Sequence, residues 1–141
     1  MVMHRKGERV SRRARSGDQT PSDRRQVGLT VPRGVKDRMT EAARVLDWSV
    51  GDWVLAAAAE FGPRVPDLST ELRRRARVPD ATFCALYLTA DERDELDDQA
   101  TARGVNRSAF VTATAQLALG AEREDVVASL RDGRDVPLGR S

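Results

Sequence analysis

Cysteine occurs once in this 141-residue chain, at Cys84, so no intrachain disulfide can form. Histidine also occurs once, at His4, which leaves the rest of the chain without the commonest general base. No apolar run exceeds seven residues (Trp53 to Ala59), far short of the roughly 20 needed to cross a bilayer. The basic start has no apolar stretch after it, so it does not read as a secretory signal. No glycine-rich phosphate cradle follows either strand-like segment. The carboxylates of residues 91–98 lack the converging His or Cys partners of a strong metal site. These absences argue against an enzyme, and no cofactor, metal or membrane is expected. Cys84 sits on the apolar side of an alternating segment, where a buried thiol is expected and a reducing cytoplasm is its natural setting.

The composition is 40% hydrophobic, 33% charged and only 4% aromatic, that of a soluble, helix-rich protein. The net charge of +2 conceals an uneven distribution. Residues 1–25 carry seven Arg and one Lys against three acids, whereas the remainder has a net charge of −3. Such a block reads as a basic arm, disordered without a partner and suited to nucleic acid. Arg12, Arg13, Arg15, Arg24 and Arg25 are its candidate contacts. A second basic knot lies at Arg73, Arg74, Arg75 and Arg77.

Two halves of the chain repeat one pattern 57 residues apart without a gap. Val27-Gly28-Leu29-Thr30-Val31-Pro32 falls on Cys84-Ala85-Leu86-Tyr87-Leu88-Thr89. Met39 falls on Leu96, Ala43 on Ala100, Ser49 on Asn106, Trp53 on Phe110 and Val54 on Val111. Each copy reads as a short strand followed by two helices, a unit too small to bury its own apolar face. In the first copy (residues 26–62), Val27, Leu29 and Val31 alternate with polar or small residues. The following helix, about 34–47, carries Val35, Met39, Ala43 and Leu46 on one side. Ser49 then caps a second helix that ends at Gly62-Pro63.

Residues 63–82 read as a linker with one short helix, Thr70 to Arg77. In the second copy (residues 83–120), Thr89 and Glu92 form a capping pair, Gly104 closes the first helix and Asn106 caps the second. Residues 121–141 read as a tail that is partly helical or disordered. A lone strand leaves backbone groups unpaired on both edges. Pairing the two strands antiparallel over four helices removes one edge from each and leaves one ribbon face open. Such a ribbon is narrow enough to enter the major groove of B-form DNA.

Strand, helix, short turn and helix in about 40 residues resembles the ribbon-helix-helix DNA-binding family. The resemblance is carried best by Leu96, Ala100 and the stretch Arg103-Gly104-Val105-Asn106-Arg107-Ser108-Ala109-Phe110-Val111. In the first copy Asp47 replaces the glycine, and Ser49-Val50-Gly51 replaces Asn106-Arg107-Ser108. The resemblance implies a mainly α fold, a tandem ribbon-helix-helix whose two strands form an antiparallel ribbon over a four-helix core. The unlike copies and a linker of about 20 residues favour pairing within one chain, a pseudo-dimer, over pairing between chains.

By position, the resemblance assigns base contacts to Gln26, Gly28, Thr30, Phe83, Ala85 and Tyr87. It assigns phosphate contacts to Ser49, Val50 and Gly51 and to Asn106, Arg107 and Ser108 at the starts of the second helices. Arg33, just after the first strand, also reaches toward the backbone. The expected function is sequence-specific binding of double-stranded DNA, as a transcriptional repressor, with self-association on DNA as an option. A bacterial chain of this kind would lie at the nucleoid. The alternatives are a plasmid partition or conjugation accessory protein, and an antitoxin or adaptor whose C-terminal tail takes a protein partner.

Overall fold

The computed structural model describes residues 23–69, 80–133 and 136–138. Arg12, Arg13 and Arg15 and the helix expected at Thr70 to Arg77 lie outside the described residues. Within them the chain is mostly helical, with one two-stranded antiparallel sheet. Strand β1 (Arg25–Pro32) leads to helices α1 (Arg33–Leu46) and α2 (Val50–Phe61) and a 3-10 turn at Gly62–Arg64. Strand β2 (Ala81–Leu88) leads to α3 (Ala90–Ala102), α4 (Arg107–Ala118) and α5 (Arg123–Asp132). Among the described residues no helix is long and apolar enough to cross a membrane.

The strands form because alternate residues have an apolar side to bury. Val27, Leu29 and Val31 of β1 and Cys84, Leu86 and Leu88 of β2 all face the core and are buried. The strands pair within the one chain, Arg25 opposite Leu88 through Pro32 opposite Ala81. Both strands start two to three residues earlier than their apolar alternation, because the ladder continues past the buried residues. Pro32, which has no N–H to donate, stands at the end of the ladder and leads into α1. The next N–H, that of Arg33, donates to the Asp80 carbonyl at 2.9 Å and closes that end.

The 57-residue repeat persists down to single hydrogen bonds. In α1 the Asp47 N–H donates to Arg44 O and the Trp48 N–H to Ala43 O. In α3 Gly104 and Val105 donate to Thr101 and Ala100. Both turns use a left-handed residue, Asp47 at φ 61° and Gly104 at φ 74°. Ser49 Oγ accepts the Asp52 N–H at 3.0 Å, and Asn106 Oδ1 accepts the Ala109 N–H at 2.8 Å. The expected capping pair is present: Thr89 Oγ1 accepts the Glu92 N–H, and Glu92 Oε1 accepts the Thr89 N–H at 2.9 Å.

Helices α2 and α4 make the principal helix-to-helix contact, burying Trp53, Val54, Ala57 and Ala58 with Phe110, Val111, Ala113 and Ala115. Met39 and Ala43 of α1 and Leu96 and Ala100 of α3 join the same cluster. Helix α3 buries only those two residues, so its acidic side chains form its outer surface. Segments read as linker and tail also contribute. Val65 and Leu68 are buried, and the Leu68 N–H donates to the Arg103 carbonyl at 2.9 Å. The tail begins with the ten-residue α5, docked through the fully buried Val126 and ended by Gly133 at φ 73°.

Cys84 is 3% exposed, and burial pushes its thiol pKa up, with Lys36 pulling weakly the other way. The thiolate needed for attack is therefore scarce at neutral pH, and reagent access is closed. An aromatic disulfide reagent is expected to leave the native protein unmodified and to label one thiol per chain in denaturing urea. Rapid labelling without denaturant would contradict this packing.

Candidate nucleic-acid interface

The outward face of the ribbon carries the six positions assigned to base contact, and the register sorts them into three rungs. Gln26 stands opposite Tyr87, Gly28 opposite Ala85, and Thr30 opposite Phe83. Ala85 is half-buried and the other five are exposed. At one end the Tyr87 hydroxyl donates to Gln26 Oε1 at 3.2 Å, which aims the amide N–H₂ away from the phenol. At the centre Phe83 crosses toward Gly28: a Cβ on Gly28 would lie 2.8 Å from its ring. Gly28 is thus the seat of the Phe83 ring, which remains 56% exposed.

The starts of α2 and α4 flank this ribbon on opposite strands. Ser108, the second residue of α4, accepts the outward Thr30 N–H on its Oγ at 3.0 Å. Gly51, its counterpart in α2, lies against Tyr87, where a Cβ would meet the Tyr87 carbonyl at 3.3 Å. Thr30 and Tyr87 are themselves counterparts, so each second helix abuts the strand of the other copy. Close backbone approach accounts for glycine at position 51. Gly51 is consequently buried, while Ser49 is exposed and Val50 half-exposed; Asn106, Arg107 and Ser108 are all half-exposed. The Ser49 and Asn106 caps consume the third N–H of each helix. The first two N–H groups have no partner within their helix, the arrangement that favours an anion.

Charged side chains around the ribbon have local partners. Arg107 forms a two-pronged pair with Asp97, Nε to Oδ1 at 2.7 Å and Nη2 to Oδ2 at 2.8 Å. That bond holds the Asp97 carboxyl below its usual range and raises the Arg107 guanidinium pKa. Stability from such a lowered acid is present above the unfolded carboxyl pKa and lost only as pH falls through the lowered folded value. The pair is therefore closed throughout the neutral range. Arg33 is exposed, 3.9 Å from Asp80. Arg24 donates to the Tyr87 carbonyl at 3.2 Å and lies 3.7 Å from Glu92. Arg25 opens β1, so the root of the basic arm is held beside the Gln26–Tyr87 rung.

Sequence reading missed Asp97 as the group that holds Arg107. The repeat itself carried the clue, since the equivalent first-copy positions, Thr40 and Val50, have lost both charges together. The outer ribbon face, the two helix starts beside it and the arginines at its ends form one continuous region. Chemically it offers hydrogen-bond donors, aromatic and methyl surface, and positive charge; it holds no cluster of three or more metal-ligating side chains among the described residues.

Compared with protein-family models, curated proteins and solved structures, the chain matches none of them.

Proposed function

We propose that this chain binds double-stranded DNA in a sequence-specific manner and acts as a transcriptional repressor. In this reading it is a tandem ribbon-helix-helix over a four-helix core, a pseudo-dimer made within one chain. The ribbon enters the major groove, the starts of α2 and α4 meet phosphates on either side, and the basic arm follows the backbone. The observation that carries the reading is the open ribbon face, flanked on opposite strands by counterpart helix starts. A partition or conjugation accessory role uses the same chemistry. The adaptor reading loses ground because α5 turns its most buried apolar residue, Val126, into the protein's own core.

Selection of bound duplexes from a random pool, with footprinting of the winners, tests the proposal directly. Retention of a selected duplex above its scrambled control at physiological salt is the expected result. Equal retention of both would leave a non-specific or purely structural protein.

Arg107 supplies a sharper test because its side chain is already committed to Asp97. Asp97→Asn is expected to cost about 0.5–1 kcal/mol of stability, the upper range for partly exposed pairs. It releases the guanidinium toward a phosphate, so DNA affinity rises and the salt dependence of log K steepens by about one unit. Arg107→Ala leaves that slope unchanged. A salt slope that drops in Arg107→Ala would show that the arginine leaves Asp97 for DNA in the wild-type protein.

A further inference from the structure

The ribbon's two ends differ chemically. The repeat matches Gln26 with Phe83, Gly28 with Ala85 and Thr30 with Tyr87, so no outward position has a like counterpart. Antiparallel pairing then gathers the hydrogen-bonding pair Gln26 and Tyr87 at one end and Thr30 and Phe83 at the other. None of the six outward residues is Arg, Lys or Asn, and the one amide lies at the Tyr87 end. The Phe83 end therefore lacks the paired donors that recognise guanine in the major groove, and it presents instead an aromatic ring, a threonine methyl and the nearby Ala85 methyl.

We propose that the ribbon reads a non-palindromic duplex site, one half of which is recognised through thymine C5-methyl groups packed on Phe83. This inference rests on the DNA-binding reading above. Apolar side chains in the major groove meet one apolar feature on the base edges, the thymine methyl. Phe83 is held ready for it, because the missing side chain at Gly28 leaves room for an edge of the ring beside the Gly28 backbone. A protein partner is the poorer occupant: one of the three rungs is an amide and a phenol, and the sequence that leads into β1 beside that rung, residues 1–25, carries a net charge of +5. The other half of the duplex falls to the Gln26 N–H₂, which suits an acceptor such as guanine O6 or N7, while the Tyr87 hydroxyl, its one proton given to Gln26 Oε1, is left to accept.

Deoxyuridine in place of thymidine removes only the methyl group and leaves every hydrogen-bonding edge intact. Duplexes selected on the full chain are remade with deoxyuridine in one half at a time, and their Kd values compared with the unmodified duplex. The selected site is expected to be non-palindromic. Replacement in one half should weaken binding about fourfold for each methyl that Phe83 covers, with little change in the other half. In Phe83→Ala the same replacement should have no effect. Gly28→Ala, which displaces the ring without removing it, should also abolish the methyl dependence. Helical circular dichroism should match wild type for both variants. Specific binding that is indifferent to all methyls, or equally sensitive in both halves, overturns the inference while leaving the DNA-binding reading intact. A methyl effect that survives Phe83→Ala overturns the assignment to Phe83. Failure to select any duplex above its scrambled control overturns both readings.

Discussion

Gly104→Ala is expected to destabilise the protein by about 2–4 kcal/mol, a large share of the 5–15 kcal/mol that holds a domain of this size together. Two independent costs add. At φ 74° an alanine is strained by about 1 kcal/mol relative to glycine. The new Cβ would also fall 2.3 Å from Ser69 Cα and 2.7 Å from Ser69 N, and neither is a side-chain atom that can swing aside. Relief requires moving the backbone of Leu68 and Ser69, which is pinned by the bond from the Leu68 N–H to Arg103 O and by the burial of Leu68. Overpacking of this kind costs about 1–3 kcal/mol.

The first copy supplies the control. Asp47 adopts the same conformation at φ 61° and is exposed. Asp47→Gly is expected to gain up to about 1 kcal/mol by relieving backbone strain. Urea midpoints at constant m-value read both changes. A Gly104→Ala loss no larger than the conformational term alone would mean that the segment at Ser69 does not cross this turn.

Phe110→Ala is expected to cost about 3–5 kcal/mol, because the ring is fully buried in α4 against α2 and its loss leaves a cavity the packed helices cannot close. The ring is held on several sides: Gly62 approaches it closely enough that a Cβ there would lie 3.2 Å away, and the Arg103 guanidinium sits 5.6 Å from its centroid. Phe83→Ala removes the same side chain at a site 56% exposed, and its effect on the urea midpoint is expected to stay within about 0.5 kcal/mol. Thermal or urea unfolding of the two variants side by side separates a phenylalanine that builds the fold from one that the fold displays. Comparable losses would place Phe83 in the core and remove the basis for assigning it to a ligand.

The elements and their inward faces were legible because they depend on neighbours a few residues away. Alternation at Val27, Leu29 and Val31, and the spacing of Val35, Met39 and Ala43, need nothing beyond local periodicity. Ser49, Thr89 and Asn106 are likewise readable as caps, since each bonds a backbone N–H three residues on. Helix α5 was only partly legible: Val126 stands out as apolar, but its burial depends on a surface supplied by α4 and its neighbours. The six outward ribbon positions followed from strand parity, but their grouping into unlike ends required the register between residues about 60 apart.

By itself, then, the sequence determined that one strand-helix-helix unit occurs twice, which side of each strand is apolar, and which residues of the two copies differ. Only the tertiary structure decided why they differ. Gly104 is glycine because the backbone at Ser69 crosses it, whereas its counterpart Asp47 is exposed and bears a side chain. Gly28 is small because Phe83 lies over it, and Gly51 because Tyr87 abuts it. The Ser108 hydroxyl serves a strand 78 residues away. Repeats record local physics, which both copies share. Contacts between distant segments break the symmetry, because one chain passing through two like units cannot meet both in the same way.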